Sequence, residues 1–433
     1  MKRILLSLLL AAIAFPLSGQ TPWSLERCVE YALQHNIGIR EGDLQAAVRQ
    51  ADYLEKKLAH LPVIGLRLVQ DFNWGRSVDI QELVITRDRL TKATAASLEG
   101  SVTLFNGLAR HHERLAAGKA AQQARLEVQA MREALSIDVT RAYLQLMLSR
   151  QIHAYTRESY AAVVRQRERT ASLVEAGSQP KSALNELEAQ VASERASMVE
   201  AACRVRTATL DLTGLMNLPV DSLLITEDTL SNADVVRRVP ILTDTQLDDY
   251  LFRNPRVLGA QASVEGMRHR NSAAVSAFLP TLTLSAGYGT YYSSAAAGPL
   301  KSQFDENRNP SLTLQLGIPV FSAGSALSGI RQGRLALQRA ELEAEKVRTQ
   351  VTREVLSATI EAENCLQQYL SAEETLQAMQ DLLRVTEAKY NLGAASALDY
   401  VVARNHCAKA MSDYLQSKWQ YVFQLKLLAI YRP

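Results

Sequence analysis

Residues 311–318 read Ser-Leu-Thr-Leu-Gln-Leu-Gly-Ile, so Leu312, Leu314, Leu316 and Ile318 alternate with Ser311, Thr313, Gln315 and Gly317. A period of two puts every large apolar side chain on one face of an extended chain and every small or polar one on the other. The spacing predicts a strand over about 309–320 with a single oily face. Three more stretches carry the same pattern. Ile64, Leu66, Leu68, Phe72 and Trp74 alternate with Arg67, Asp71 and Asn73, predicting a strand over about 63–75. Leu98, Gly100, Val102 and Leu104 alternate with Ser97, Glu99, Ser101 and Thr103, predicting one over about 96–105. Leu282, Leu284, Ala286 and Tyr288 alternate with Thr281, Thr283, Ser285 and Gly287, predicting one over about 281–292. Each is near the length of a membrane-crossing strand. The joining segments, about 76–96 and 293–309, are too polar for lipid and are expected to face the exterior.

The strands belong to a chain that repeats itself, a feature that outranks any local motif. Leu61-Pro62 is answered by Leu279-Pro280, and Leu104-Phe105-Asn106-Gly107 by Val320-Phe321-Ser322-Ala323-Gly324. Glu175-Ala176-Gly177 is answered by Asn391-Leu392-Gly393, and Ala183-Leu184-Asn185 by Ala397-Leu398-Asp399. The offset drifts only from 218 to 214. The reading is therefore two structural repeats, 21–235 and 236–433, after an excluded leader.

Each repeat predicts a short helix (about 24–34 and 243–253), a medium one (37–60 and 255–278), two strands, and a long helical hairpin (108–214 and 326–428). The first arm of each hairpin, 108–174 or 326–390, has helical apolar spacing and no internal proline. A helix of that length runs roughly 100 Å at 1.5 Å per residue, so it must lie against neighbours in coiled-coil fashion. The medium and return helices, stacked end to end, match one long arm. Residues 215–242, with Pro219 and Pro240, are read as an irregular belt at that join.

Met1-Lys2-Arg3 followed by an apolar run to Ala14 reads as a secretory signal over 1–20. Its removal lowers the formal net charge from +3 to +1, because Lys2 and Arg3 go with it. No nucleic-acid partner is indicated. Cys28, Cys203, Cys365 and Cys407 are scattered and fit neither a disulfide nor a metal framework. No later apolar run reaches the roughly 18 residues of a membrane-spanning helix, so any crossing must use strands. Four strands are too few to enclose a bore, and an open sheet edge is prohibitive in hydrocarbon. Closure demands copies of the chain; three give 12 strands, an even number within the known range.

These residues resemble the TolC-like outer membrane efflux protein family over about 23–430, most specifically at the duplicated Leu-Pro, the Phe-Asn-Gly and Phe-Ser-Ala-Gly strand exits, and the Gly turns with Ala-Leu-Asn and Ala-Leu-Asp. The resemblance implies an all-α dominated chain with a transmembrane β-barrel: a trimeric 12-stranded outer-membrane β-barrel continued by a long periplasmic α-helical barrel. It also implies a homotrimer in outer-membrane lipid, a periplasmic adaptor (membrane fusion) protein and an inner-membrane transporter of RND or ABC type. Adaptor docking would fall on the hairpin tips at Gly177, Ser178, Gly393 and Ala394, and the pore aperture on Asp399, Val402, Asn185 and Glu188. The family's second acidic aperture position holds Val402, so a double acidic ring does not carry over. Asp399 can also be read as a first-turn carboxylate capping its own helix.

Gly107 and Gly324 are expected to turn strand into helix, and Pro62 and Pro280 helix into strand. His111-His112-Glu113 lacks a third metal ligand nearby, and no nucleophile elbow, Walker loop, dinucleotide fingerprint or HExxH motif occurs. The chain is read as a duct subunit without cofactor and not as an enzyme. The alternative reading is a soluble periplasmic coiled-coil structural or adaptor protein.

Overall fold

The computed structural model describes residues 22–78, 85–219, 239, 243–296, 298–321 and 324–431. The expected signal, most of the expected belt (220–238 and 240–242) and Ser322-Ala323 lie outside the described residues. In chain order the elements are α1 Leu25–His35, α2 Ile37–Leu58, β1 Val63–Val78, β2 Ile85–Asn106, α3 Ala109–Glu175 and α4 Lys181–Met216. They continue with α5 Asp244–Arg253, α6 Pro255–Val275, β3 Thr281–Ser293, α7 Leu300–Glu306, β4 Asn309–Gly317, α8 Ser325–Asn391 and α9 Ala397–Tyr431.

The chain forms two compact units that cut across the sequence repeats. Of the described residues, the strand unit takes those within 43–127 and 255–348, and the hairpin unit those within 22–42, 128–254 and 349–431. The chain passes between them inside α2, α3 and α8 and between α5 and α6.

In the strand unit, β1-β2-β3-β4 form one antiparallel sheet in sequence order. The register aligns Leu66, Leu98 and Tyr288 in one row and Ile64, Gly100, Ala286 and Leu312 in the next row on that face. Gly65, Glu99, Gly287 and Ser311 align on the opposite face. Helices leave the sheet in the same order as the strands. Tyr53 of α2 packs over Gly118 of α3, Lys119 of α3 is ion-paired with Glu265 of α6, and Arg268 of α6 lies 3.5 Å from Glu341 of α8.

Three strand boundaries and one register differ from those the sequence predicts; β1 runs on to Val78, past its expected end near 75. β2 starts at Ile85 and not near 96, so the charged stretch taken for an outer loop is mostly strand, paired with β1 as far as Val78–Ile85. Charge excludes a segment from hydrocarbon, not from a ladder that continues beyond it. β4 stops at Gly317 and not near 320, one residue before Ile318-Pro319, where proline would remove a ladder donor. A register shift between Thr103 and Phe105 places Phe105, and not Leu104, opposite Leu282. The extra residue of this bulge breaks the simple alternation at the strand exit.

The hairpin unit has a conventional core. Tyr143, Leu146, Leu212, Met216, Tyr369, Trp419, Tyr421 and Leu428 are buried together, joined by Cys28 and Ala32 of α1. Trp419 Nε1 donates to Gln151 Oε1 at 3.0 Å, satisfying the indole inside that core. At the join of the medium and return helices, Asn36 uses Oδ1 to cap the Ile39 amide at 3.2 Å. Its Nδ2 donates to Leu215 O at the end of α4, at 2.9 Å. The second repeat brings Tyr250 of α5 to 5.3 Å from Tyr431 at the end of α9.

Candidate functional site

The polar face of the sheet is concave. It encloses a groove of about 670 Å³ lined in part by Arg67, Glu99, Ser101, Ser285, Gly287 and Ser311. Arg67 and Glu99 are the charged side chains of that lining, and Ser97 Oγ donates to Glu99 Oε1 at 3.2 Å. Small residues leave the groove open. The other face carries Leu66, Leu68, Leu312, Leu314 and Leu316, each exposed, with Trp74 78% exposed toward the helix-distal end. The sheet is thus polar on its concave side and oily on its convex side.

Helix meets strand where the sequence places its prolines: Pro62 and Pro280 stand immediately before β1 and β3. The return turns differ. Gly107 has φ +64, and a Cβ there would lie 2.6 Å from Leu279 Cβ, so both backbone and space require glycine. Ser276 Oγ donates to Gly107 O at 2.5 Å, and Arg110 donates to Ala59 O at 2.9 Å, so the turn is tied to both helix ends that enter the sheet. Gly324 has φ +82 but open space around it.

At the tips the two hairpins close with the same backbone device. Ser178 N–H donates to Leu173 O at 2.8 Å and Gly177 N–H to Val174 O at 3.0 Å. Ala394 N–H donates to Lys389 O at 2.8 Å and Gly393 N–H to Tyr390 O at 3.0 Å. These are paired Schellman bonds around a left-handed glycine, with φ +70 at Gly177 and +74 at Gly393.

The helices that follow are capped differently. Pro180 precedes α4 without a side-chain cap. Before α9, Ser396 Oγ accepts from Asp399 N–H at 3.1 Å, while Asp399 Oδ2 accepts from Ser396 N–H at 3.0 Å and from Ser396 Oγ at 2.8 Å. This reciprocal box uses the Asp399 carboxylate. Its hydrogen bonds, from the Ser396 side chain first and backbone second, hold the carboxyl below the ordinary value, against a small opposing effect of desolvation.

Of the other aperture candidates, Val402 and Asn185 are exposed, and Glu188 is ion-paired with Arg167 of α3 at 3.0 Å. The four positions do not form a cluster of free carboxylates. Ala183 and Leu187 of α4 pack with Tyr390, Ala397 and Tyr400, placing the first turns of α4 and α9 side by side.

Above the tips lies a buried polar knot that sequence reasoning missed. Arg404 of α9 donates to Ser159 O at 2.7 Å, to Ser159 Oγ at 2.9 Å and to Tyr400 Oη at 3.2 Å. Ser159 Oγ donates to Glu194 Oε2 at 2.9 Å, and Gln190 Nε2 donates to Asn405 Oδ1 at 2.9 Å. Arg404 Nε is 3.8 Å from Glu194 Oε1, an ion pair without a hydrogen bond at that atom. Burial raises the neighbouring Tyr155 phenol and Cys407 thiol above their ordinary values. The knot joins α3, α4 and α9, and therefore both hairpins of the chain.

The signal for it was available: Gln190 and Glu194 continue the stripe of Leu187 and Ala201, and Arg404 that of Ala397, Tyr400 and Cys407. A polar residue inside an apolar stripe marks a buried partner. His112 likewise approaches an unforeseen partner, His269 of α6, with ring centroids 5.7 Å apart. Its pKa is lowered by burial, then by His111 and His269. Among the described residues no group of three metal-ligating side chains forms.

Residues 247–429 match the family described as outer membrane efflux protein. Outer membrane protein TolC of Vibrio cholerae is 21% identical over 309 residues, covering 71% of this chain and 70% of that protein. A crystal structure of CusC superposes with a TM-score of 0.82 at 18% identity, covering 94% of this chain and 92% of that one. The outer membrane protein VceC of Vibrio cholerae superposes with a TM-score of 0.80 at 17% identity, covering 94% and 95%. At such identities the structural likenesses establish a shared fold.

Proposed function

We propose that this chain, whose residues 247–429 match the outer membrane efflux protein family, is a member of that family and one of three identical subunits of an outer-membrane duct whose helical part lies in the periplasm. The observation that carries the reading is the inverted sheet. Leucines crowd its convex face while serines, threonines and glycines line its concave face, the polarity of a barrel wall with lipid outside and water within. Both margins of the sheet lack a strand neighbour among the described residues. The helices continuing those margins expose Leu44, Val48, Leu54 and Leu58 on α2 and Leu327, Leu335 and Leu342 on α8. Copies of the same chain supply both missing strand edges and cover for these side chains. Three copies bring the ring to 12 strands.

In this reading small molecules or secreted polypeptides pass through the bore without chemical change. A periplasmic adaptor and an inner-membrane transporter, of RND or ABC type, deliver the cargo. The tips around Gly177-Ser178 and Gly393-Ala394 meet the adaptor. Asn185, Glu188, Asp399 and Val402 lie near the aperture, with Asp399 first of all the cap of α9. The knot of Arg404, Glu194 and Ser159 keeps the two hairpins of one chain packed just above it.

A soluble periplasmic rod would need a cover for the oily convex face, whose leucines are exposed among the described residues. Single-channel recording on protein reconstituted into planar bilayers tests the proposal. Discrete conductance steps are expected; protein that fractionates with the soluble periplasm and leaves bilayers silent would contradict it.

A further inference from the structure

The helix-distal end of the sheet is uneven. β1 and β2 pair out to Val78 and Ile85, but β4 has nine residues and its pairing with β3 ends at Gly289–Asn309. β3 runs on to Ser293, so its last residues would present bare amides on the side β4 has left. α7 occupies that place. Gln303 Oε1 accepts from Ser293 N–H at 2.9 Å, and its Nε2 donates to Ser293 O at 3.1 Å. That double exchange is what a facing strand residue would provide. Asn307 Nδ2 donates to Tyr291 O at 2.8 Å, two residues back on the same edge, and Thr290 Oγ1 donates to Phe304 O at 2.7 Å. Gln303 Nε2 also reaches Gly298 O at 3.0 Å, so the buried amide fixes the approach to α7 as well as its docking. Side-chain amides here end a β-ladder.

β1 has a matching deficit. It has sixteen residues against the nine of β4, so a β4 from another copy leaves at least seven of them without a strand partner. β1 begins at the helix-proximal end where β4 finishes, which puts the unpaired residues at 72–78, the level at which α7 replaces β4. Resting on the closed-ring reading above, we propose that α7 stands beside residues 72–78 of β1 in the next copy. It is a wedge that fills the rim between β3 and that strand and sets where the intercopy ladder stops. Its outward residues Lys301, Asp305 and Glu306 are exposed and polar, as the rim of an interface in water requires.

Cysteine cross-linking in the full-length, membrane-inserted protein tests this, with the exposed Cys203 first replaced by Ala. One series pairs Glu306→Cys with Asp71→Cys or Asn73→Cys; a control series pairs Thr313→Cys with Gly65→Cys or Arg67→Cys across the β4–β1 seam. The proposal expects intercopy disulfides in both series. Links across the strand seam with none from α7 would overturn the wedge and leave the ring standing. No links in either series would overturn the ring and the wedge with it. Adding Gln303→Leu is expected to cut the α7 link about tenfold, the scale of a lost buried amide, while the strand seam still links. An α7 link undiminished in Gln303→Leu would overturn the assigned role of that amide.

Discussion

The hairpin unit and the strand unit obey opposite rules of burial. In the hairpin unit Tyr143 is 2% exposed and Tyr421 fully buried, and the polar groups inside, Glu194 and Arg404, answer one another. In the strand unit Leu66 is 69% and Leu312 74% exposed, while serines and glycines line the concave side. The first arrangement largely completes itself within one chain. On the proposed reading, the second is complete only when lipid and further copies are added. On that reading the two units answer to different solvents, and each can be broken separately.

The largest effect is expected inside the hairpin unit. Arg404→Ala strands Glu194 without its ion pair and should cost about 3–5 kcal/mol, read as a lowered unfolding temperature of the extracted protein. Replacing Arg404 and Glu194 together with Met should recover most of that loss, because the uncompensated charge goes too. In the strand unit Leu314→Arg should cost about 2–4 kcal/mol at mid-bilayer depth, whereas Thr313→Arg, one residue earlier and facing the concave side, should insert nearly normally. Equal insertion of the two variants into liposomes would erase the contrast between the faces.

Two smaller tests compare the repeats. Gly107→Ala and Gly324→Ala both strain a left-handed position, but only the first meets Leu279, adding about 1–3 kcal/mol of overpacking. Denaturant titration of both variants should rank them in that order. The smallest effect is at the tips. Ser396→Ala removes the cap of α9 at about 1 kcal/mol, and amide exchange should rise in residues 396–400 while the first turn of α4 is unchanged. The Asp399 carboxyl is held below its ordinary value, so its contribution is present at neutral pH and fades as pH falls through that lowered value. Relative to intrinsic exchange rates, amide protection at the second tip should therefore fall in acid more than at the first.

Much of this was legible in the sequence, because periodicity reports faces directly. Leu312, Leu314 and Leu316 needed no partner to declare the oily side of β4, and the paired glycines at 177 and 393 declared the tips. What escaped depended on distance along the chain. The charges at 87–89 looked like a loop because only pairing with β1 makes them strand. Glu194 and Arg404 lie 210 positions apart, so only the packing of α4 against α9 brings their two stripes together. Gln303, read as part of a polar outer loop, ends a ladder only because β4 is short. Asp399 carries both an aperture and a capping reading from the sequence; the hydrogen bonds show the cap, whose partner Ser396 was missed although Ser-x-x-Asp was there to see.

On the proposed reading one chain supplies a third of a closed wall. Mass measurement of the detergent-extracted particle, with bound detergent subtracted, tests that claim most directly. Three chains per particle are predicted, dispersing into aggregates when detergent is withdrawn. A single chain that stays monodisperse in plain buffer would contradict it.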